Sequence, residues 1–173
     1  MKTQPNRPAR DRKPRLEISN SSSSIAPMTG LVRDTVVLTR SGEVLVQHIQ
    51  ADHHIVTRDA GLVRVQIVVH QHVMSPTISV AAGSLGDTRP EHEMILPANQ
   101  QILIRDWRAQ ALFGCNQALV PASSLVDGEY ICHQGQQMLD LYSVHLERLH
   151  VIYAGGLEVA SATETALNLR SAA

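Results

Sequence analysis

The chain has 173 residues, of which 43% are hydrophobic but only 3% aromatic, so its core must be built mainly from Val, Ile, Leu and Ala, a mix that favours strands. Residues 1–28 carry six Lys and Arg against two Asp and Glu, and the remaining residues carry nine against fourteen, so the net charge of −1 combines a basic N-terminal segment with an acidic body. No signal-peptide core follows the basic start and no stretch approaches the roughly 20 apolar residues of a membrane helix, so we expect neither a secretory signal nor a membrane span.

The N-terminal segment is rich in Arg, Pro, Asn and Ser, a composition that cannot bury enough apolar surface to offset its ordering entropy. We therefore expect residues 1–28 to form a basic disordered tail. The segment lacks aromatic side chains and its cationic residues are interrupted by prolines, so we expect no nucleic-acid partner. A cytoplasmic location is the default expectation, and non-classical export stays open.

From Asp34 onwards, short apolar runs alternate with turn residues, which is typical of an all-β domain. Between Val63 and Val69 the odd positions are apolar and share one face, whereas Arg64 and Gln66 fall on the other, so this segment is predicted to be an antiparallel strand with one solvated face. The predicted strands are Thr35–Arg40, Glu43–Ile49, His53–Asp59, Leu62–Val73, Thr77–Gly83, Glu93–Pro97, Gln100–Arg105, Glu129–Gly135, Met138–Leu146 and His150–Gly156.

One short helix is predicted, in the sequence VPASSLVDG, where Pro121 suits a first helical position and Gly128 suits the stop. Residues after Gly156 are expected to form a final short helix or to fray. The domain is placed at residues 29–161, with a C-terminal tail or short helix at 162–173.

The sequence RDWR (Arg105–Arg108) holds the only tryptophan of the chain. It could bind an anion between its two arginines. We favour a structural interpretation, in which Trp107 covers the core while Asp106 pairs with Arg105 or Arg108.

Nine histidines raise the question of a metal site, because imidazole is a common zinc ligand. His70 and His72 leave the same face of a predicted strand, and together with His53 and His54 they could supply several ligands. No carboxylate is placed as an obvious further ligand, so solvent-facing histidines are the favoured interpretation, a metal site is the alternative, and no cofactor is expected.

The two cysteines, Cys115 and Cys132, are too few for a disulfide framework and form no C-x-x-C motif. Two separate, partly buried thiols are favoured over a single disulfide bond.

Five segments match one known family in order: DTVVLTRSGEV…VTRDAG (Asp34–Gly61), SPTISVAAGSLGD (Ser75–Asp87), ILIRDWRAQALFG (Ile102–Gly114), ALVPASSLVDGEYI (Ala118–Ile131) and LERLHVIYAGGLEVAS (Leu146–Ser161). Together they resemble the bacterial Hint domain family, the Hedgehog/intein-type autoprocessing fold. The resemblance implies a compact horseshoe of bent antiparallel hairpins. It agrees with the all-β class and the single short helix inferred from the residues.

The resemblance also implies a reaction on the protein's own backbone. In working members of the family, a Cys or Ser at the first residue of the domain attacks the preceding carbonyl. A Thr-x-x-His element assists by binding the scissile peptide and protonating its nitrogen, so nucleophile and proton donor are both required.

This sequence departs from the family pattern at each of those positions. The nucleophile position falls on Gly30, and the threonine and histidine positions fall on Pro97 and Gln100. A glutamine donates a hydrogen bond but cannot take up and release a proton near neutral pH. A further family histidine falls on Leu149, and a one-residue gap would place His150 there instead.

Three functional hypotheses follow from these residues. The favoured one is a catalytically degenerate autoprocessing scaffold, not an enzyme, that serves as a binding or assembly module for an unidentified protein partner. The second is residual self-cleavage, in which Thr29 performs an N-to-O acyl shift with help from Gln100 or His150 and releases the tail. The third is a metal-binding module that uses His70 and His72.

Overall fold

The computed structural model describes residues 28–163. Within this range the chain forms thirteen strands, one α-helix and two 3-10 helices. The strands are β1 (Leu31–Val32), β2 (Val36–Thr39), β3 (Gly42–Leu45), β4 (His54–Thr57), β5 (Gly61–Arg64), β6 (Ile67–Val80), β7 (Met94–Pro97), β8 (Gln101–Ile104), β9 (Ala118–Pro121), β10 (Ile131–Leu146), β11 (Val151–Ala154), β12 (Leu157–Ala160) and β13 (Ala162–Thr163). The α-helix α1 spans Trp107–Phe113, and the 3-10 helices span Val46–His48 and Ala122–Leu125.

The strands form two sheets. The first has the order β1-β10-β6-β7, and β13 pairs with β10 as well. The second has the order β3-β2-β4-β11-β12-β8-β9, with β5 on β4 and an additional pairing of β2 with β11. Within the described range the pairing of β10 with β13 is the one parallel pairing, and the others are antiparallel.

A long two-stranded ribbon of β6 and β10 dominates the first sheet. It pairs from Ile67 opposite His145 to Val80 opposite Ile131, with one register shift near Gly135. The sequence predicted two shorter strands in place of β6 and two in place of β10. This prediction was wrong, and in β6 the reason is that Pro76 does not interrupt the strand. The carbonyl of Pro76 accepts the N–H of Ala98, so its nitrogen faces the same side, away from β10, and no bond of the β6–β10 ladder is lost.

The predicted continuous strand Leu62–Val73 is divided between the two sheets. Val65 donates its N–H to the carbonyl of His53 in the second sheet, and the next residue, Gln66, donates to His145 in the first. Ile67 therefore does not continue the buried face of β5, and its side chain is 44% exposed. The predicted alternation holds up to Val65 and ends where the chain changes sheets.

The one α-helix of residues 28–163 lies in RDWRAQALFG and not in VPASSLVDG, where the chain forms a 3-10 helix. The Asp106 side chain caps α1 by accepting the N–H of Arg108 at 3.0 Å, and Gly114 ends it in a left-handed conformation, φ 67°. Trp107 is the first residue of α1 and is 69% exposed, so the prediction that it covers the core was wrong.

One carboxylate is buried between the arginines of several segments. Glu158 on β12 is 4% exposed and accepts hydrogen bonds from Arg105 at 2.9 and 3.0 Å and from Arg58 at 3.1 Å, with Arg89 3.8 Å away. The sequence predicted that Asp106 pairs with Arg105 or Arg108. Its partner is Arg108, at 2.5 Å, whereas Arg105 binds Glu158. The three guanidinium groups offset the cost of burying the Glu158 charge.

Between Leu157 and Thr163 the chain forms the strands β12 and β13 and not a helix. Gly155 and Gly156 form a two-residue turn between β11 and β12, with φ of 59° and 79°. Glycine suits both positions because a turn of this kind requires positive φ at each. The predicted tail at 162–173 is a strand in its first two residues, and the rest lies outside the described residues. The predicted disordered tail, except for Met28, also lies outside them.

The two sheets share one aliphatic core, as the composition predicted. Its fully buried side chains include members of both sheets, namely Val37, Ile55, Ile78, Leu96, Ile102, Ile131, Leu146 and Ile152. Among the described residues, no helix has the length and apolar character needed to cross a membrane.

Candidate functional site

The N-terminal end of the described chain enters the centre of the fold. Thr29 and Gly30 line a cavity of about 10 Å³ together with Gln100, Ser143 and Ser161, which is room for about one water molecule. Immediately after Gly30, β1 pairs with the C-terminal half of β10, where Leu31 lies opposite Tyr142. The backbone of residues 29 and 30 is therefore enclosed by both sheets.

The peptide group between Thr29 and Gly30 is held at both of its polar atoms. The Gly30 N–H donates to Gln100 Oε1 at 2.8 Å, and the Thr29 carbonyl accepts from Ser143 Oγ at 2.9 Å. We call this arrangement of Gln100 and Ser143 around the Thr29–Gly30 peptide the cradle. It satisfies both polar atoms of a buried peptide group, which would otherwise destabilise the fold.

The orientation of the Gln100 amide is fixed by three hydrogen bonds. Its Oε1 accepts from Gly30, while its Nε2 donates to the carbonyls of Ala160 at 3.0 Å and Gln101 at 3.2 Å. A flipped amide would set its NH₂ group against the Gly30 N–H and its oxygen against two carbonyls. Gln100 therefore accepts at the Gly30 nitrogen and has no proton to deliver there.

A tight turn between β7 and β8 brings Gln100 into this position. Pro97 ends β7 opposite Thr77, and its carbonyl accepts the N–H of Gln100 at 2.9 Å. Both Pro97 and Gln100 are buried, and Gln100 is 1% exposed. The turn thus places position 100 against Gly30 and keeps position 97 in the strand.

Gly30 fits the cradle because it lacks a side chain. Its φ of 152° lies in a region that favours glycine, and a Cβ there would lie 3.2 Å from Ser143 Oγ and 3.2 Å from the Tyr142 carbonyl. A larger residue at position 30 would require Ser143 or the β10 backbone to move by a few tenths of an ångström.

His150 is buried behind the cavity and does not line it. Its Nδ1 lies 2.7 Å from Asp59 Oδ2, its backbone N–H donates to Ser161 Oγ at 3.0 Å, and its ring is fully buried. Nε2 lacks a hydrogen-bond partner and lies 3.9 Å from Glu147. The neighbouring Leu149 is 46% exposed, so of these two residues it is His150 that points into the fold.

The pKa of Asp59 reflects this contact. Partial burial of the carboxyl raises its pKa, but the hydrogen bonds from His150 and from the backbone N–H of Val151 outweigh that effect, so the pKa lies below its usual value. Asp59 is therefore ionised at neutral pH and orients the His150 ring through Nδ1.

The profile of the Hint domain family matches residues 29–166. The chain belongs to the Hint domain family. No curated protein sequence matches it. Its fold is similar to that of the gp41-1 intein, with a TM-score of 0.51 and 14% identity over 76% of this chain and 98% of the intein.

Two further structures show the same fold. The bacterial intein-like domain from Clostridium thermocellum gives a TM-score of 0.52 at 14% identity, covering 78% of this chain and 98% of that domain. A DnaB intein from Synechocystis sp. PCC 6803 gives 0.50 at 13% identity, covering 78% and 99%. The Hint-like, all-β fold predicted from the sequence is confirmed.

In this Hint domain, two of the positions at which the sequence departs from the family pattern are in contact. Gly30 and Gln100, predicted at the nucleophile and histidine positions, share a hydrogen bond, and Pro97 lies three residues before Gln100. Ser143, which donates to the Thr29 carbonyl, was not predicted. It lies 114 residues from Thr29 in the chain, and nothing in the strand pattern around it distinguishes it from an ordinary strand serine.

The histidine pairs of this Hint domain lie in different sheets. His54 is in β4 of the second sheet and is joined there by His53, whereas His70 and His72 are on β6 of the first. The alternative metal hypothesis required the two pairs to meet, and no such group is found among the described residues. The His70 and His72 side chains are 49% and 63% exposed, and both contact Asp140, a carboxylate that sequence reasoning missed.

Cys115 and Cys132 are both free and partly buried, as the sequence favoured.

A second cavity of about 500 Å³ begins directly after the cradle, where Val32 and Arg33 line it. The carboxylates of Asp34, Glu43, Glu91 and Glu93 also line this cleft, together with apolar side chains such as Met94 and Ile95.

Proposed function

We propose that this Hint domain does not process itself and instead serves as a binding or assembly module that keeps residues 1–28 covalently attached. One observation carries this proposal. The peptide at the position where a working relative would be cut is held by Gln100, which presents an oxygen and no proton to its nitrogen, and by Ser143, whose hydroxyl donates to its carbonyl. The unidentified partner would be a protein that uses the tail, the acidic cleft, or both.

The chemistry that cleavage would need is missing at each step. Gly30 has no side chain to attack the Thr29 carbonyl, so no ester or thioester can form there. Gln100 presents its oxygen, not an N–H, to the nitrogen that would have to be protonated. Ser143 polarises the carbonyl by one hydrogen bond, which alone lowers the barrier too little for observable hydrolysis.

Self-cleavage by Thr29 is the second candidate function. An N-to-O shift by Thr29 would attack the carbonyl of Met28, whereas the cradle holds the peptide on the other side of Thr29. His150, the remaining candidate base, contacts Asp59 and Ser161 and is not among the residues that line the cavity. These contacts favour the uncleaved scaffold.

The proposal is tested by the intact mass of the purified full-length chain after incubation with and without a thiol. We expect one species of unchanged mass under both conditions. A product that starts at Thr29 or Gly30 would overturn the proposal, and its loss in Thr29→Ala would assign the cleavage to Thr29. A hydroxylamine incubation serves as a second probe, because it cleaves any ester that forms reversibly and would otherwise escape detection.

A further inference from the structure

The outer edge of β6 is unpaired along much of the strand. β6 pairs with β10 from Ile67 to Val80, whereas on its other side β7 pairs only with the residues from Thr77 to Val80. Within residues 28–163, no strand pairs with that other side between residues 68 and 74. We call this stretch, with the sequence VVHQHVM, the open edge.

The backbone groups that face the open edge follow from the position of Pro76. The Pro76 carbonyl accepts the N–H of Ala98 at 2.9 Å, on the side of β6 that faces away from β10. The pairing of β6 with β10 has no register shift between Ile67 and Pro76, and an antiparallel strand directs its backbone groups to alternate sides. The N–H and C=O groups on the open edge are therefore those of every second residue, namely Val68, His70, His72 and Met74.

The open edge lacks the features by which proteins usually keep an edge strand from pairing. Those features are charged side chains, prolines and β-bulges. The sequence VVHQHVM contains no Lys, Arg, Asp, Glu, Pro or Gly, and its pairing with β10 contains no bulge. Met74 at the end of the open edge is 57% exposed. An exposed edge of this composition favours the addition of a further strand.

We propose that the open edge pairs with the open edge of a second copy of this chain, antiparallel and about a two-fold axis at Gln71. Residues 69–73 read Val-His-Gln-His-Val, the same in both directions. Two-fold antiparallel pairing about Gln71 therefore sets like against like, with each histidine opposite a histidine and each valine opposite a valine. Facing β-branched pairs such as Val69 and Val73 stabilise a sheet.

The backbone favours the same register. Two residues exchange hydrogen bonds across an antiparallel pair only if both direct their backbone groups to the shared edge. About Gln71, His70 lies opposite His72 and Val68 opposite Met74, and all four residues meet this condition. A two-fold axis at His70 would instead set Met74 opposite Gln66, whose N–H already bonds to His145 at 3.0 Å. The axis at Gln71 is thus the one that uses the whole open edge.

The ends of the open edge limit the assembly to a dimer. At one end Ala98 occupies the Pro76 carbonyl, and at the other the chain crosses to the second sheet between Val65 and Gln66. Both copies use the same surface, so the contact closes on itself and leaves no open edge for a third chain. A contact this short buries less area than a standard interface, and we therefore expect a dimer that forms reversibly as the concentration rises. This self-pairing goes beyond the function proposed above, because it does not depend on whether the tail is cleaved.

The first test is sedimentation equilibrium of the full-length chain from micromolar to near-millimolar concentrations in a mildly alkaline buffer, where histidine is mainly uncharged. We expect the mass to rise from one chain towards two. His72→Pro removes an N–H from the open edge and, like Pro76, removes no bond to β10. Each dimer would lose two hydrogen bonds, so the dissociation constant should rise about tenfold or more. His72→Ala keeps the N–H and should dimerise like the parent chain.

The second test reads the register and does not require the proline variant to fold. In Gln71→Cys the two new thiols lie on the two-fold axis, where facing Cα atoms of a non-hydrogen-bonded pair are about 4.5 Å apart, a separation that a disulfide can bridge. Mild oxidation should therefore link two chains. Val69→Cys is the matched control, because position 69 faces position 73 and not itself. The parent chain controls for Cys115 and Cys132.

Three results would overturn the proposal. The first is a parent chain that stays monomeric at every concentration, which would also be the result if another segment of the chain covered the open edge. The second is dimerisation that is unchanged in His72→Pro, once circular dichroism and thermal unfolding have established that this variant is folded. The third is equal cross-linking of Val69→Cys and Gln71→Cys.

Discussion

Gln100 Oε1 accepts the backbone N–H of Gly30 across 70 residues of sequence, at 2.8 Å and in a buried position. One side chain thereby joins the start of the domain to the turn between β7 and β8, and its Nε2 joins that turn to β12. The contact links the N-terminal segment to both sheets, and it has consequences for stability as well as for chemistry.

Replacing Gln100 should destabilise the fold more than replacing its neighbour Gln101 does. Gln100→Ala leaves the Gly30 N–H and the Ala160 carbonyl without their side-chain partner, so we expect the free energy of unfolding to fall by about 2 to 4 kcal/mol. Urea unfolding followed by circular dichroism measures this change. Gln101→Ala, which removes a partly exposed side chain, should cost less than about 1 kcal/mol. Equal losses for the two variants would contradict the role given to the cradle.

Supplying a nucleophile alone should not restore cleavage. Gly30→Cys provides a thiol, but Gln100 still has no proton to give, and the new Cβ must enter a space limited by Ser143. We expect the single variant to keep its full mass in the presence of a thiol, and the Gly30→Cys/Gln100→His double variant to release the tail slowly. Cleavage in the single variant would show that Gln100 does not limit the reaction. Gly30→Ala is the control for packing at this position.

The buried carboxylate Glu158 should be the most sensitive charged residue of the second sheet. Glu158→Ala leaves three arginines without their common partner, and we expect a loss of about 3 kcal/mol or more in the free energy of unfolding. Arg89→Ala should cost less than about 1 kcal/mol, because Arg89 is 38% exposed and 3.8 Å away. Thermal and urea unfolding of both variants test whether losing the buried carboxylate lowers the free energy of unfolding more than losing the exposed arginine.

The stability of the turn after the second 3-10 helix should depend on pH through Asp127. Burial raises the pKa of this carboxyl, but the backbone N–H groups of Ile131, Glu129 and Tyr130 all donate to Oδ1 and outweigh it, so the pKa is lowered. A group whose pKa is lower in the folded state stabilises the protein above its unfolded pKa, about 4, and loses that contribution as the pH falls through its folded pKa.

Asp127→Asn tests this assignment. The variant should be less stable than the parent at neutral pH, and the difference should shrink as the pH falls below about 4, since the parent then loses the same negative charge. The measurement is the free energy of unfolding from urea titrations at several pH values. A difference that stays constant down to the lowest pH would place the stabilising effect elsewhere than in the carboxylate.

Much of the fold was predictable because strands in this chain follow the alternation of Val, Ile and Leu with polar residues. The α-helix was missed although its signals are local, since Asp106 is a good N-cap residue and Gly114 a good stop. Its exposed Trp107 and Phe113 concealed the pattern, because large apolar residues suggest burial. The break at Val65 and Gln66 leaves no mark in the sequence, since the alternation continues across it.

The candidate site was harder to predict than the fold. The contacts of Ser143 with Thr29 and of Asp140 with His70 join residues 114 and 70 positions apart. Such contacts depend on which residue of β10 lies opposite which residue of β6 and β1, and a slip of one position would turn each side chain to the other face. A single sequence carries no direct signal of that register.

The two-residue strand β1 has a mechanical consequence. Alone it makes too few ladder bonds to resist being peeled from β10, yet the Thr29 carbonyl and the Gly30 N–H are fixed from opposite sides by Ser143 and Gln100. A partner that pulls on residues 1–27 would therefore transmit the force directly to the centre of the protein, through β10 and the turn between β7 and β8. The tail would therefore be anchored through the Thr29–Gly30 peptide, independently of any surface contact it makes.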